Sequence, residues 1–303
     1  MKSNFRLPLI HFLLLAALLG AAIPARAQKP SPRKGQKVLV ISDLEGLDGI
    51  VDFNLQCVPF KGPLYPESRK VLAAEVNAAI EGLFNGGATS IVVYDNHYGG
   101  HNLSVLDIHE KIPGAVRLLS GGPVSPTLGL DSSYSAIVFI GLHSMAGTKD
   151  GVLPHSFTWD IQNIWVNGKK VGEIGARVML AGELGIPAIM VSGDAAACDE
   201  FRELVPNGEC ATVKWGASHT GGYSLPISDA VKTIKGTAYV AMQHLSSFKP
   251  YAVSGPAEVK AQYVSPAVTP AFKPGLGIER IDSETWDFKG KDFISAWLKF
   301  RSF

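Results

Sequence analysis

Cysteine is scarce in this chain: three in 303 residues, at Cys57, Cys198 and Cys210. So thin and odd a set excludes a disulfide framework as the source of stability. Cys198 and Cys210 flank a helix-to-strand passage, where they either pair or stay as buried thiols. Surplus charge is missing too. There are 28 basic against 27 acidic residues, a formal net charge of +1. With no basic cluster, this excludes nucleic acid as a partner. Past residue 27 no apolar run is long enough to span a bilayer. Also absent are a G-x-S-x-G nucleophile elbow, an H-E-x-x-H helix and a glycine-rich phosphate loop. Gly46 and Gly49 have the wrong spacing for a dinucleotide fingerprint, and Asp43 would repel a pyrophosphate.

The one long apolar stretch lies at the N-terminus. Leu7 to Ile23 follows Lys2 and Arg6, is interrupted by Pro8 and His11, and precedes Ala25-Arg26-Ala27, a small-x-small cleavage site. Residues 1–27 therefore read as a secretory signal peptide and residues 28–36 as a flexible tether rich in proline and lysine. The expectation is an exported protein, periplasmic or secreted, with no stable membrane insertion once the signal is removed. An uncleaved N-terminal anchor is the alternative.

Beyond the tether the chain is long enough to bury a large core, and its apolar runs share one grammar. Val38 to Ile41 ends in Ser42-Asp43-Leu44-Glu45-Gly46. Ser90 to Tyr94 ends in Asp95-Asn96-His97-Tyr98-Gly99-Gly100, and Ala136 to Ile140 in Gly141-Leu142-His143-Ser144. Runs this apolar are strands buried on both faces of a parallel sheet. Between the first two, a helix over about 67–84 uses Val71, Ala74, Ala78 and Leu83 as its apolar face and closes at Asn85-Gly86-Gly87. A strand-helix-strand unit of this kind is a right-handed crossover, so both strand ends fall on one edge of the sheet. Further on, the pattern predicts a short helix near 105–110, a strand at 116–119 and a hairpin over 161–171 about Asn167-Gly168. A helix from Glu173 to about Glu183, a strand at 186–191 and a helix at 195–204 come next. From Cys210 the pattern loosens, with strands near 212–215, 257–263 and 284–288 and helices over 227–234 and 291–300. The fold class expected is α/β: a three-layer core with a mainly parallel sheet over 37–205, plus a smaller mixed α+β C-terminal lobe over 206–303.

If the chain stays extended past Ser42, Asp43 and Glu45 point the same way. The crossover then brings them beside Asp95 and His97, and His143 ends a third strand. Five of the eight histidines fall between residues 97 and 155, interspersed with carboxylates. Imidazole with carboxylate suits zinc, and a set this rich in carboxylate suggests two ions sharing a bridging group. Two such ions would lower the pKa of a shared water and polarise a carbonyl or phosphoryl oxygen, which points to hydrolysis. Residues 37–205 thus read as a metal-binding domain. Asp48 and Asp95 stay open between ligands, acceptors behind a ligand imidazole and turn caps. His101 and His109 read as surface histidines, and His219, in a polar loop over 218–222, as one that reaches the cleft mouth. The glycine-rich loop 146–156, carrying His155, is of the kind that bears sites on a rigid scaffold.

Taken in order, SDLEGLDGI (42–50), YDNHYGG (94–100), GLHSMAG (141–147), GVLPHSF (151–157) and NGKKVGEIGARVMLAGELGIPAIMVSGD (167–194) resemble the motifs of one family. It is the zinc-dependent D-aminopeptidases of the dipeptide-transport-operon type, peptidase family M55. The likeness covers about residues 37–303 and weakens after 210. It implies two Zn2+ per subunit held by Asp43, Glu45, His97, His143 and Glu173, with Asp43 close to both. It also implies His155 as a catalytic histidine, nucleophile or acid–base, with Glu45 or His155 carrying the proton to the leaving amine. The activity implied is release of N-terminal residues from short D-peptides such as D-Ala-D-Ala, by a homo-oligomer of two stacked five-membered rings, a decamer. The alternatives are an exported metal-dependent hydrolase of an L-peptide, another amide or a phosphoester, and a non-catalytic periplasmic binding protein. Two departures stand out. Where the family's G-E-x-x-x-N-A carries asparagine, Gly172 to Val178 supplies Ala176 or Arg177, which alters the pocket wall. Export also departs from the cytoplasmic setting implied by imported dipeptides.

Overall fold

Strands form where the apolar runs stand. The computed structural model describes residues 35–109, 114–121 and 127–302. The signal-type segment 1–27, the tether up to residue 34 and Glu110 lie outside the described residues. β1 (Lys37–Ser42) is followed by α1 (Tyr65–Gly86), β2 (Ser90–Asp95), β3 (Val116–Leu119) and β4 (Ala136–Leu142). The hairpin β5 (Ile161–Val166) and β6 (Lys169–Lys170) leads to α2 (Glu173–Glu183), β7 (Ala188–Asp194) and α3 (Ala195–Leu204). Then come β8 (Glu209–Ser218), β9 (Gly221–Ser224), α4 (Ile227–Gln243), β10 (Ala257–Tyr263), β11 (Ile278–Arg280), β12 (Thr285–Gly290) and α5 (Phe293–Phe300).

A seven-stranded sheet in the order β3-β2-β1-β4-β7-β8-β9 is parallel except for β9, which returns antiparallel to β8. Val38 to Ile41 are fully buried, and β4 and β7 are buried along their whole length. Each such aliphatic side chain contributes about 1.5–3 kcal/mol by leaving water, so the core fixes where these strands end. Helices supply the cover that buried parallel strands need. α1 and α4 pack on each other and on the sheet, and α2 and α3 do the same beside β7. Residues 209–243 thus extend the parallel sheet and its helical cover. The second sheet, β11-β12-β10-β5-β6, is antiparallel and joins the hairpin to the mixed-strand C-terminal region, with α5 packed on β10 and β12.

Several local expectations change. The turn near Val105 is a single 3-10 turn, Val105–Asp107, closed by a Ser104–Asp107 capping box, with Ile108 already extended. α4 runs on to Gln243 because Ala230, Ile234, Ala238, Ala241 and Met242 continue a buried stripe. The polar stretch near His219 forms the turn into β9. Cys57, Cys198 and Cys210 are all free, with Cys210 Sγ 3.6 Å from the Cys198 carbonyl oxygen. No helix among the described residues is long and apolar enough to cross a membrane.

At the carboxyl edge, two glycines let the ends of β1 and β4 touch. Gly46 N donates to Gly141 O at 2.8 Å and Asp43 N to Ile140 O at 2.9 Å. A Cβ on Gly46 would meet the Leu142 carbonyl oxygen, and one on Gly141, at φ +69°, would meet that of Asp43. Only glycine permits this approach.

Candidate metal centre

Six buried side chains meet at this edge as two triads. Asp43, Glu45 and His97 form one and His143, His155 and Glu173 the other, each with its ligand-type atoms within 4.8 Å of one another. Asp43 and His143 directly follow β1 and β4, His97 lies two residues past β2, Glu173 opens α2, and His155 comes from the intervening loop. The chain does not stay extended after Asp43. It turns at once, with Leu47 N donating to Leu44 O at 3.1 Å. Glu45 still arrives beside Asp43, because Gly46 pins that turn onto Gly141.

The three imidazoles are oriented alike. Asn102 Nδ2 donates to Asp95 Oδ1 at 2.8 Å and to the His97 carbonyl at 2.7 Å, so its Oδ1 is an acceptor. That oxygen receives the Tyr65 hydroxyl at 2.8 Å and His97 Nδ1 at 3.3 Å. His97 Nε2 then faces Glu45 Oε1 at 3.1 Å. His143 Nδ1 donates to Ser144 O at 3.0 Å and His155 Nδ1 to Leu153 O at 2.9 Å. Their Nε2 atoms lie 3.4 and 3.9 Å from Glu173 Oε1. Each ring commits Nδ1 to a fixed oxygen and turns Nε2 toward a carboxylate, as a ligating imidazole requires.

Asp95 is the support behind His97. It accepts the backbone N–H groups of Asn102 and Leu103 at 2.7 and 2.8 Å besides the Asn102 amide. Asp48 stands outside both triads, its backbone N–H donating to Glu75 Oε1 at 2.8 Å. His101 and His109 are exposed, as expected. His219 does not line the cavity. It braces the His155 loop from outside, its ring 3.1 Å from Thr148 O and its carbonyl accepting Leu153 N at 2.9 Å. From the far side Asp194, at the start of α3, accepts Val152 N at 2.7 Å and clamps the same loop.

Charge in the cluster is unevenly distributed. Burial, with Glu45 and Glu173 adding to it, raises Asp43 well above the usual carboxylate range. Burial also pushes on Glu45, but the charge and hydrogen bond of His97 outweigh it and hold that carboxyl low. Glu173 is held low against burial by Arg177, whose Nη1 donates to Oε2 at 2.7 Å, and by His143. His97 rises to about 9 because Glu45 overcomes burial, and His143 to about 10 because Glu173 does. His155 moves the other way: burial and neighbouring His143 lower it. Glu45 Oε2 and His143 Nε2 are buried with no hydrogen-bond partner in the protein. Three carboxylates and three converging imidazole nitrogens, two donor atoms among them unsatisfied, fit a pair of divalent cations.

Both triads contribute to the wall of a cavity of about 500 Å³. Its mouth is aromatic. Trp159 stacks on His155 at 4.6 Å and His155 on His143 at 4.0 Å, while Phe53 meets Trp159 edge-on at 5.3 Å. Tyr98 lies against His97 at 4.9 Å with a left-handed backbone, φ 45°. Sequence reasoning missed Asn102, Phe53, Trp159 and Arg301, which follow no periodic pattern. It met Arg177 only as a departure from a motif.

Comparison with known proteins decides the lineage. The model for the M55 peptidase family, described as D-aminopeptidase, matches residues 36–302. The chain belongs to the M55 family. The D-aminopeptidase of Bacillus subtilis (strain 168) is 29% identical over 265 residues, spanning 86% of this chain and 94% of that one. Among solved structures, the Zn-dependent D-aminopeptidase DppA from Bacillus subtilis, a self-compartmentalizing protease, is similar with a TM-score of 0.81 and 27% identity. That match covers 88% of this chain and 96% of the other. The M55 assignment and the paired triads agree: this is a hydrolase lineage, and the chain keeps a metal-type donor set at the sheet edge.

Proposed function

We propose that this M55 protein is a dizinc aminopeptidase that releases N-terminal D-amino acids from short peptides, D-Ala-D-Ala among them. The observation that carries the reading is the meeting of two histidine–carboxylate triads in one cavity. The D-aminopeptidase relatives add the substrate class. Asp43, Glu45, His97, His143 and Glu173 would hold the ions. Bound there, a zinc pair supplies Lewis acidity toward the scissile carbonyl and an acidic water.

The protein's own groups do the rest. His155, its Nδ1 tied to Leu153 O and its pKa lowered by burial and by His143, offers the Nε2 lone pair. That lone pair serves whether His155 takes a proton as base or attacks directly. As base, His155 passes the proton that it takes from water to the leaving amine; as nucleophile, it forms an acyl-imidazole while Glu45 relays a proton from water to that amine, and the hydroxide so formed hydrolyses the acyl group. Buried carboxylates on the cavity wall suit a free N-terminal amine, which favours an aminopeptidase over an endopeptidase. Phe53, Tyr98 and Trp159 at the mouth limit access of bulk water. The signal-type segment 1–27 supports export to the periplasm or beyond, and the self-compartmentalizing relative supports a homo-oligomer, with a decamer as the implied form.

The test is a panel of D-Ala-D-Ala, L-Ala-L-Ala, N-acetyl-D-Ala-D-Ala and an aryl phosphate, run with and without zinc. Zinc-dependent turnover of the first alone is the expected result. Equal cleavage of the L-peptide, or cleavage of the phosphate only, overturns it.

A further inference from the structure

Two arginines stand in the cavity beside the triads. Arg177, one turn into α2, is 4% exposed, and its Nε has no hydrogen-bond partner in the protein although Nη1 is paired with Glu173. Arg301, half-buried at the end of α5, lines the same cavity. Their guanidinium carbons lie 5.2 and 5.0 Å from the centre of one ring, that of Phe157. Two like charges over one aromatic platform in a low-dielectric wall repel each other. The repulsion registers on Arg301, whose pKa is lowered by burial and then by Arg177. An anion in the cavity that both line would relieve it. Planar guanidinium groups recognise a carboxylate best, by paired charge-assisted hydrogen bonds.

We propose that Arg177 and Arg301 form the subsite for the substrate's C-terminal carboxylate, making a free dipeptide the preferred substrate over amidated or longer peptides. The inference rests on the aminopeptidase reading for the position of the scissile bond. In a dipeptide the carboxylate lies one residue beyond that bond, and one residue spans about 3.8 Å. Arg177 touches Glu173, itself assigned to the metals, so its guanidinium sits one side chain from the reacting centre. That suits the carboxylate next to the scissile carbonyl and is too close for the terminus of a longer chain.

Arg301 is the residue to change, because Arg177 also holds Glu173. The zinc-loaded protein is assayed on D-Ala-D-Ala, D-Ala-D-alaninamide and D-Ala-D-Ala-D-Ala. The free dipeptide is expected to win by about tenfold or more in kcat/KM, chiefly through KM. Arg301→Gln lowers the acid's kcat/KM more than the amide's, bringing the ratio toward one, and Arg301→Lys restores part of it. A second readout needs no turnover: calorimetric titration of metal-free protein with N-acetyl-D-alanine and its amide. Wild type binds the acid more tightly and Arg301→Gln loses the distinction. An acid-to-amide ratio within about twofold of one in wild type, or unchanged in Arg301→Gln, overturns the subsite. Discrimination by the metal-free protein without turnover of any peptide would keep the subsite and sink the aminopeptidase reading. Turnover without discrimination would do the reverse.

Discussion

Two groups of buried charged residues meet at the loop from Asp43 to Ile50, and they behave in opposite ways. One is the pair of triads. The other centres on fully buried Lys214 of β8, which donates to the carbonyl oxygens of Glu45 and Ile50, with Glu75 of α1 receiving Asp48 N. In this second group burial wins. It lowers Lys214 to about 8 and raises Glu75 to about 8 and Asp48 to about 6. In the triads opposite charges win at four of the six groups, holding Glu45 and Glu173 low and His97 and His143 high, while burial still raises Asp43 and lowers His155. Unpartnered oxygens occur in both, at Glu75 Oε2 and Asp48 Oδ1 as at Glu45 Oε2. Only the triads place imidazole beside carboxylate on the wall of a cavity. Burial of charge therefore does not mark a site. Convergence of mixed donors on open space does.

Breaking the triads has the largest expected effect. His143→Ala or Glu45→Gln reduces bound zinc below two per chain and takes peptide turnover to background, read by elemental analysis beside the peptide assay. Next comes His155→Ala, which keeps both ions and lowers kcat by about 10²–10⁴-fold. Near-full activity would remove His155 from the chemistry. The Lys214 group should respond in stability. Lys214→Met leaves two buried carbonyls without their donor and costs about 2–4 kcal/mol in denaturant titrations. Zinc content should hold in that variant; its loss would merge the two groups into one functional unit.

The last comparison is a pH dependence in the metal-free protein. Glu75 has a folded-state pKa of about 8, above its unfolded value. The stability tied to its proton is full below the unfolded pKa and is lost as pH rises toward 8. Glu75→Gln carries no such loss. Its stability relative to wild type should climb between about pH 5 and 8, by at most about 1.4 kcal/mol per pH unit. A flat difference would mean that burial does not govern this group.

Much of the sheet edge was legible because a short apolar run followed by polar residues and glycine is a one-dimensional signal. β1, β2 and β4 carry it, and with them Asp43, His97 and His143. The meeting of Asp43 and Glu45 was anticipated for the wrong reason, since a glycine-pinned turn brings them together and an extended strand does not. Glu173 looked like any acidic helix opener and gained its place only through the family motif. Arg301 and Trp159 were out of reach. One comes from the end of α5 and the other from a loop, delivered by a second sheet whose pairing of β5 with β10 joins residues almost a hundred positions apart. Such contacts leave no local period to read.

Zinc bound per chain at saturation, measured by elemental analysis after equilibrium dialysis, tests the meeting of the triads most directly. Two ions in the wild-type protein, reduced in both His97→Ala and His143→Ala, is the predicted result. No bound zinc, or a stoichiometry indifferent to both substitutions, would contradict it.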